Sequence, residues 1–463
     1  MTVVWWRGRS HLWSNEDKID TCIYILSCVS LLDITNAFCY ADVEGDVYIK
    51  APKEIEIPPG YCFKLKKSLY GLKTSLRSWN KHLNQFIKSL GFTQCVLDTC
   101  LYYKYKDGRI ALLAVYVDDI MIASADLEYI KEIKKQFYKK FDMTDMGELH
   151  HFLNIRITRT EEFIRMDQSV YAQKVIDKFA PLMGNLRKIR KTPLPDDAAD
   201  RLASSDEELT EDQKEYVSMF PFRAIIGALL HLSIHTRPDI TYAVGVLSRY
   251  SSKPSLAACE LCIYVLQYIR GTVDNGIIFS GRKFDLHVFT DADWAGDRIT
   301  RRSTTGYVLF APGGPIVWSS KLETTVATSS MESEYMAMYG GMQELVWIRG
   351  VLSELLLTAL FGKSTPFYIN SQSAEDLAMN PVYHKRSKHI FVKYHWIREH
   401  VDPDGLATAR LYHVCTQDQV SDIFTKAVTG STFEKHEKTI TGKKRSETRN
   451  VEVNNPLKRQ RRN

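Results

Sequence analysis

Two adjacent aspartates, Asp118 and Asp119, interrupt the apolar run at residues 110–124, which reads IALLAVYVDDIMIAS. The β-branched and aliphatic residues on both sides predict two strands joined by a two-residue turn made of the aspartates. Two like charges at the tip of an apolar hairpin repel each other and are costly to desolvate. A divalent cation would remove that repulsion and supply metal-ion chemistry. For these two residues alone, an acidic solvated turn is the plainer alternative.

Asp33 is a second acid at the end of an apolar run, in the sequence LLDITNAF at residues 31–38. An aspartate between a strand and a helix-compatible segment is most simply a helix N-cap. Without a partner motif, the N-cap is the default role for Asp33.

The apolar periodicity around these acids predicts the elements that position them. In the first half it predicts helices over 82–90, 126–141 and 171–179, and a strand over 100–105 beside the aspartate hairpin. In the second half it predicts a strand ending in acid within 286–296, a hairpin of strands 306–310 and 315–319, a helix over 330–357, a strand over 367–370 and a final helix over 417–426. The polar residues 193–212 favour a linker between the two halves.

The length of 463 residues suffices for two or three domains of ordinary size. A hydrophobic content of 44% and a charged content of 25% are typical of a folded globular protein. The early apolar run at 22–32 is too short to span a bilayer and lacks a cleavage pattern, so we expect neither a membrane helix nor a signal peptide. Nine cysteines without zinc spacing indicate reduced thiols and a cytoplasmic or nuclear location.

The net charge of +6 is concentrated near the C-terminus. Residues 433–463 hold ten Lys and Arg against four Asp and Glu, a surplus of six, so the preceding residues are formally neutral. Any nucleic-acid affinity of the body must then come from local patches. The basic clusters at 443–445 and 458–462 are typical of nuclear-import or nucleic-acid-binding tails. Translation beyond a mutated stop codon is the alternative, since it would give a similar sequence.

The motifs resemble those of copia-type retrotransposon polymerases. They are YVDD at 116–119, LLDITNAF at 31–38, LKKSLYGLKTSLRSW at 65–79, and DMGEL and FLNI at 145–149 and 152–155, in the order that the family has them. The resemblance implies that Asp33, Asp118 and Asp119 are catalytic and hold Mg²⁺, with Mn²⁺ as the alternative ion.

The same resemblance implies substrate-binding roles for three further residues. Phe38 would stack under the sugar of the nucleotide and reject a ribose 2′-hydroxyl, and Lys73 and Arg77 would meet phosphates. Gly71 would let the backbone approach a nucleotide or template closely. Considered only as basic residues, Lys66, Lys67 and Lys73 more often form a solvated face than a phosphate-binding site.

The acids of the second half resemble those of ribonuclease H, in which ligands from separate elements hold two Mg²⁺ ions. The resemblance makes Asp291 the central ligand, Glu334 the helix ligand and Asp422 the last. Glu334 is preferred to Glu332 because an alanine follows it by three residues, as in the family; acids favoured by the helix dipole are the alternative. The fourth family ligand, an aspartate, falls on the uncharged Asn370.

The implied fold is of the α+β and α/β multidomain class: a reverse-transcriptase palm, with an antiparallel sheet and helices, followed by a ribonuclease H-like α/β domain. No sequence that resembles the family's fingers subdomain precedes Asp33, so the chain is interpreted as a truncated copy. The predicted domains are an atypical segment 1–30, palm and thumb 31–192, linker and connection 193–283, a ribonuclease H-like domain 284–428, and a basic disordered tail 429–463.

The implied function is RNA-directed DNA synthesis by two-metal nucleotidyl transfer, with hydrolysis of the RNA strand of a hybrid, in a copy whose activity is impaired. The implied partners are an RNA or DNA template-primer, an RNA–DNA hybrid and dNTPs, with no membrane and no defined oligomeric state. Residues 383–390, YHKRSKHI, would contact the substrate strand or form a surface patch. The competing hypothesis is a catalytically dead retrotransposon relic that at most binds nucleic acid, which Asn370 and the absent fingers favour.

Overall fold

The computed structural model describes residues 28–184, 188–204, 209–280, 285–311, 313–355, 362–379, 391–401 and 408–443. They form two compact units, an N-terminal unit of residues 28–149 and 347–355 and a C-terminal unit made of the other described residues. The helices are α1 (Ser75–Ser89), α2 (Leu127–Tyr138), α3 (Ser169–Phe179), α4 (Ala198–Ala203), α5 (Glu211–Met219), α6 (Phe222–His235), α7 (Thr241–Ser248), α8 (Leu256–Gly271), α9 (Ser330–Glu354), α10 (Gln372–Met379), α11 (Phe391–His400) and α12 (Gly430–Ile440). The strands are β1 (Cys28–Ile34), β2 (Tyr48–Ile49), β3 (Phe63–Lys64), β4 (Thr93–Gln94), β5 (Leu101–Lys106), β6 (Arg109–Tyr116), β7 (Asp119–Ser124), β8 (Met143–Glu148), β9 (His151–Phe152), β10 (Ile155–Arg159), β11 (Ile164–Asp167), β12 (Gly276–Phe279), β13 (His287–Asp293), β14 (Thr304–Ala311), β15 (Gly314–Leu322), β16 (Thr365–Ile369) and β17 (Ala409–His413).

A six-stranded antiparallel sheet organises the N-terminal unit, in the order β4-β5-β6-β7-β1-β8. β1 lies between β7 and β8, and most of its residues are buried, as the continuous apolar run before Asp33 predicts. α1 and α2 bury apolar residues at helical spacing in the same core, among them Trp79, Leu83, Ile133 and Phe137. The unit has the predicted palm architecture of an antiparallel sheet with helices.

The aspartate hairpin differs from the prediction by one residue. β6 and β7 pair Tyr116 with Asp119, so the turn consists of Val117 and Asp118 rather than of the two aspartates. Val117 has a φ of +58°, which a β-branched residue rarely adopts. The turn is held because the indole Nε1 of Trp79 donates to the Val117 carbonyl at 2.7 Å. Asp119 is therefore a strand residue, and only Asp118 lies in the turn.

The C-terminal unit begins with a four-stranded antiparallel sheet, β12-β11-β10-β9, beside a helical core that includes α3, α6, α7 and α8. Within this core Arg237 and Asp239, each 1% exposed, form a two-pronged ion pair with distances of 2.9 and 2.7 Å. The hydroxyl of Tyr268 donates to the same carboxylate at 2.6 Å. The pair is structural, since it is buried and bonded within this core.

A five-stranded mixed sheet follows, in the order β15-β14-β13-β16-β17. β13, β14 and β15 are antiparallel neighbours, whereas β16 runs parallel to both β13 and β17. α9 packs closely on this sheet, since a Cβ at Gly341 would lie 2.6 Å from the side chain of Thr290. This mixed sheet with helices has the α/β architecture that the resemblance to ribonuclease H predicts.

The predicted final helix over 417–426 is wrong. The chain instead forms two short 3-10 segments, Thr416–Asp418 and Val420–Phe424. Between them the buried Gln419 donates from Nε2 to the Thr290 carbonyl of β13 at 2.8 Å. This tertiary bond fixes the segment against the sheet and overrides the local helical pattern.

Two segments that the sequence predicts as linker or tail pack into the C-terminal unit. Leu194 and Leu202, inside the polar stretch 193–212, belong to the helical core. The prediction of disorder from residue 429 is wrong for residues 430–443, because α12 buries Phe433, His436 and Ile440. A few apolar residues at helical spacing suffice for docking although their neighbours are charged.

Other predictions fall on residues outside the described ranges, namely 1–27, 383–390 and 444–463. The two compact units divide at residues 149 and 150, and the domain boundaries taken from the sequence stay a prediction. In the described part of the chain, no single helix is long and apolar enough to cross a membrane. The pair α5 and α6, bent by 48°, meets the length and composition criteria only when taken together.

Candidate active sites

Asp33 and Asp119 are opposite each other on the antiparallel strands β1 and β7. Residues paired in this way have side chains about 4.5–5.5 Å apart at Cβ when they lie on the same face. Asp118 is adjacent in the turn, where its carbonyl accepts a hydrogen bond from the Ile34 amide at 3.0 Å. The fold therefore brings all three predicted carboxylates of the N-terminal unit to one end of the sheet.

Negative charge accumulates at this end of the sheet. Burial, followed by the charges of Asp118 and Asp33, raises the pKa of Asp119 to about 6. No Lys or Arg in the described part of the chain forms an ion pair with any of the three carboxylates. Hard oxygen donors with uncompensated charge fit a divalent cation. Within the described residues no three such side chains are yet close enough to chelate an ion, so the carboxylates would have to close around it.

Phe38 lies in the 3-10 turn Ala37–Tyr40 directly after β1 and is only 6% exposed. The ring of Tyr70 meets it edge-on, with centroids 4.4 Å apart. The hydroxyl of Tyr70 donates to Oδ2 of Asp118 at 3.2 Å. Sequence reasoning did not single out Tyr70, although it lies within the quoted LYGLK text beside Gly71.

Lys73 lies two residues before α1 and Arg77 in its first turn, and both are exposed. α1 contains no acidic residue, so its surface carries uncompensated positive charge. Gly71, just before them, has a φ of +92°, and a Cβ there would meet nothing within 4 Å. Glycine is thus required by the backbone conformation, and the two basic side chains are accessible to a ligand.

In the C-terminal unit, Asp291 lies on the central strand β13 and is 1% exposed. Its Oδ1 accepts a hydrogen bond from Nδ2 of Asn370 at 3.0 Å, and its Oδ2 accepts one from the hydroxyl of Thr425 at 2.5 Å. The ammonium of Lys426 is 3.9 Å from the same Oδ2. Both oxygens of the carboxylate are therefore already engaged by protein donors.

Glu334 and Asp422 approach this carboxylate from other elements. Burial, and then the charge of Asp291, raises the pKa of Glu334 to about 9 and that of Asp422 to about 7, with Lys426 opposing both shifts. Lys426 lies 3.0 Å from Oδ1 of Asp422. The segment Val420–Phe424 packs closely on β14 because Gly306 of β14 has no Cβ. A Cβ at that position would lie 2.7 Å from the side chain of Phe424.

Glu332 has a different role from Glu334. Its Oε2 accepts hydrogen bonds from the amide and the hydroxyl of Thr328 at 2.7 and 2.8 Å, which ties down the segment that precedes α9. The charge of Asp291 contributes to the raised pKa of Glu334, and the preference for Glu334 as the ligand stays a prediction.

The predicted ligands of the C-terminal unit are thus brought together, with three neighbours that sequence reasoning did not assign. Thr425 and Lys426 lie within residues 417–426, for which the sequence predicted a final helix, and Asp293 is two residues after Asp291 on β13. Burial raises the pKa of Asp293. Lys426 and Asn370 supply a charge and a donor where a two-ion centre needs acceptors, so this site does not fit two divalent ions as it stands.

Comparisons with known proteins agree with the geometry of the N-terminal unit. The family model for reverse transcriptase (RNA-dependent DNA polymerase) matches residues 25–193. A retrovirus-related Pol polyprotein from transposon TNT 1-94 of Nicotiana tabacum is 35% identical over 411 residues, which is 88% of this chain. A transposon Ty5-1 protein of Saccharomyces cerevisiae is 30% identical over 311 residues, covering 66% of this chain and 97% of that protein. The chain belongs to the copia-type retrotransposon Pol family.

This Pol chain spans only part of its longer relatives, 30% of the tobacco polyprotein and 26% of the RE1 polyprotein of Arabidopsis thaliana, to which it is 34% identical. Among solved structures, it is similar to a foamy viral protease-reverse transcriptase in complex with double-stranded DNA, at 14% identity and a TM-score of 0.21 over 84% of this chain and 59% of that chain. A TM-score this low adds nothing to the assignment, which depends on the sequence relatives.

Proposed function

We propose that this Pol chain catalyses RNA-directed DNA synthesis at the site of Asp33, Asp118 and Asp119. The observation that supports this best is the placement of three carboxylates at one end of a sheet with no basic side chain of the described residues to neutralise them. Mg²⁺ or Mn²⁺ bound there would polarise the α-phosphate of a dNTP and lower the pKa of the primer 3′-hydroxyl. The three carboxylates would hold the ion, and Asp119, whose pKa is raised to about 6, is already largely ionised at pH 7.

The remaining predicted residues complete a binding surface for the template-primer and the dNTP. Phe38 is a buried ring next to the carboxylates and would lie under the sugar. Lys73 and Arg77 are exposed, and their charge would position phosphates without reading sequence. These side chains would bind and orient the substrates, whereas the three carboxylates would hold the ion that acts on the reacting groups.

We infer that the ribonuclease H-like site of the C-terminal unit is impaired in hydrolysing the RNA strand of a hybrid. Asn370 offers Asp291 a hydrogen-bond donor where the family has a fourth carboxylate. Its amide carries no charge to balance a second divalent ion. Asp291, Glu334 and Asp422 remain as proposed ligands, but no hydrolytic step follows from them alone.

A second candidate function is nucleic-acid binding without catalysis, by a cytoplasmic or nuclear relic of the transposon. The closed hydrogen-bond set around Asp291 favours it for the C-terminal unit, since both carboxylate oxygens are already satisfied. The uncompensated acids at Asp33, Asp118 and Asp119 argue against it for the N-terminal unit.

Primer extension on poly(rA)·oligo(dT) distinguishes the two functions. The full chain is assayed with Mg²⁺ and with Mn²⁺ beside Asp118→Asn, which removes one ligand charge, and Asp142→Asn, an exposed aspartate of the same unit. We expect extension by the unmodified chain and by Asp142→Asn, with a loss of at least a hundredfold in Asp118→Asn. No extension by any of the three, with unchanged circular dichroism, would establish the relic.

The ribonuclease assay uses an RNA–DNA hybrid and the substitution Asn370→Asp. This change restores a fourth carboxylate and removes the donor to Asp291, so we expect cleavage to rise at least tenfold over the unmodified chain. Asn370→Ala, which removes the donor without adding charge, is the matched control. Equal cleavage by the unmodified chain and Asn370→Asp would show that the amide does not limit this site.

A further inference from the structure

We propose that Tyr70 is a positioning residue of the polymerase site, which holds the carboxylate of Asp118 through its hydroxyl and supports Phe38 through its ring. This inference rests on the proposed function of the N-terminal unit. Tyr70 is in direct contact with two residues of that site, one a proposed metal ligand and the other a proposed sugar-binding residue.

The first contact fixes a side chain that the backbone leaves unrestrained. The backbone of Asp118 is held in the turn, since its carbonyl accepts from Ile34 and the preceding carbonyl accepts from Trp79. The carboxylate itself extends beyond these bonds. Its Oδ2 accepts from the Tyr70 hydroxyl at 3.2 Å. A hydrogen bond to one oxygen limits rotation of the carboxylate and leaves the other oxygen available for an ion.

The second contact determines how Phe38 is placed. The two rings meet at 70° with centroids 4.4 Å apart, an edge-to-face arrangement that aromatic pairs prefer. Phe38 is buried at 6% exposure, whereas Tyr70 remains 56% exposed. Tyr70 therefore covers one side of Phe38 from the solvent side, and it links the ring to the carboxylate through a single side chain.

The exposure of Tyr70 argues against a purely structural role. A side chain that is more than half exposed contributes little burial to the stability of the sheet. Its backbone precedes Gly71, whose φ of +92° turns the chain so that Tyr70 lies next to the turn of the aspartates. The contacts of Tyr70 therefore support the carboxylate site and contribute little to the hydrophobic core.

Two substitutions separate the two contacts. Tyr70→Phe removes the hydroxyl and keeps the ring, so we expect the concentration of Mn²⁺ for half-saturation to rise about five- to tenfold, which is the usual net effect of one lost hydrogen bond at an exposed site. Discrimination between dNTP and rNTP should stay unchanged in this variant. Tyr70→Ala also removes the support of Phe38, so discrimination against rNTP should fall in addition. Tyr61→Phe, at a tyrosine that is 73% exposed, is the control for the loss of a surface hydroxyl.

Mn²⁺ binding is measured by electron paramagnetic resonance, independently of catalysis, and extension kinetics give kcat and KM for dNTP and rNTP. Equal Mn²⁺ affinity in Tyr70→Phe and in the unmodified chain would overturn the role at Asp118, and unchanged rNTP discrimination in Tyr70→Ala would overturn the role at Phe38. If the unmodified chain fails to extend primers, the proposed function fails, while Mn²⁺ affinity still tests the contact with Asp118. Circular dichroism of each variant excludes unfolding as the cause.

Discussion

Asp118 and Asp119 are neighbours in sequence, but they have different environments. Asp118 is a turn residue whose carboxylate has a tyrosine hydroxyl as donor. Asp119 is a strand residue opposite Asp33, and burial together with two negative neighbours raises its pKa to about 6. Burial and the neighbouring negative charges disfavour the charged form of Asp119. A bound cation would offset this electrostatic repulsion.

This electrostatic repulsion makes the free energy of unfolding depend on pH in a definite direction. The pKa of Asp119 is higher in the folded chain than its ordinary value of 3.8, so the folded state binds the proton more tightly. The stability that the folded chain gains from binding the Asp119 proton more tightly is present in full at low pH. It is lost as the pH rises through about 6. We therefore expect Asp119→Asn, without divalent ions, to be more stable than the unmodified chain at pH 7, by at most about 3 kcal/mol, and to lose this advantage near pH 4.

Urea unfolding in the presence of a chelator, repeated between about pH 4 and 8, measures the difference in free energy of unfolding between the two chains. Asp142→Asn serves as the control for the loss of one carboxylate charge, because the side chain of that aspartate is exposed. Adding Mg²⁺ should stabilise the unmodified chain more than Asp119→Asn. A difference that does not change with pH would show that the carboxylates do not interact as the geometry indicates.

At this scale, the sequence identified the acids of both sites but not the residues that hold them. Asp33, Asp118 and Asp119 stand out because charge is unusual within apolar runs. Tyr70 and Thr425 carry no such signal, since a tyrosine or threonine is compatible with many environments and only tertiary contact assigns its partner. The turn position was missed because the positive φ of Val117 depends on the distant indole of Trp79.

Elements with clear apolar periodicity were predicted well, and elements fixed by tertiary contacts were not. The predicted helix over 330–357 is α9, Ser330–Glu354, and the predicted hairpin is β14 with β15. The start of α1 was placed seven residues late, because the small residues Ser75 and Ser78 belong to its buried face and do not register as apolar. α12 was missed since the surrounding charges obscured its three buried residues.

The docking of α12 gives a prediction for this element. Phe433 is 3% exposed and contacts the ring of Tyr268, at 5.9 Å between centroids, within the helical core. We expect Phe433→Ala to lower the free energy of unfolding of the chain by about 3–5 kcal/mol, the usual cost of removing a buried phenylalanine. Thermal and urea unfolding of the full chain measure the change.

Glu434→Ala, at the exposed neighbouring position of the same helix, provides the matched control and should change stability by less than about 0.5 kcal/mol. If both substitutions had the same small effect, α12 would not be part of the folded core, and the original prediction of a disordered tail would hold from residue 429.

Across the whole molecule, the acidic residues of the proposed catalytic sites and most of the surplus basic residues lie in different parts of the sequence. The carboxylate sites lie in regions of negative charge, whereas the surplus of positive charge lies in residues 433–463. Some of that charge is used within the fold, since Lys443 bonds Glu437 at 3.0 Å and Asn275 at 2.8 Å. The basic residues beyond 443 are the ones whose effect on nucleic-acid binding is still to be assigned.

Deleting residues 444–463 tests that assignment, because it removes seven Lys and Arg and two Glu, a net charge of +5. Each phosphate contact contributes about −0.9 to the slope of log K against log salt on duplex DNA. We therefore expect the slope to become shallower by up to about 5 after the deletion, while primer extension at low salt is retained. Fluorescence anisotropy with a labelled hybrid measures the slope, and a chain with the same tail residues in scrambled order should keep it, since the effect is electrostatic. An unchanged slope would instead assign the affinity to local patches such as Lys73 and Arg77, whose double substitution by alanine would then lower the slope by about 2.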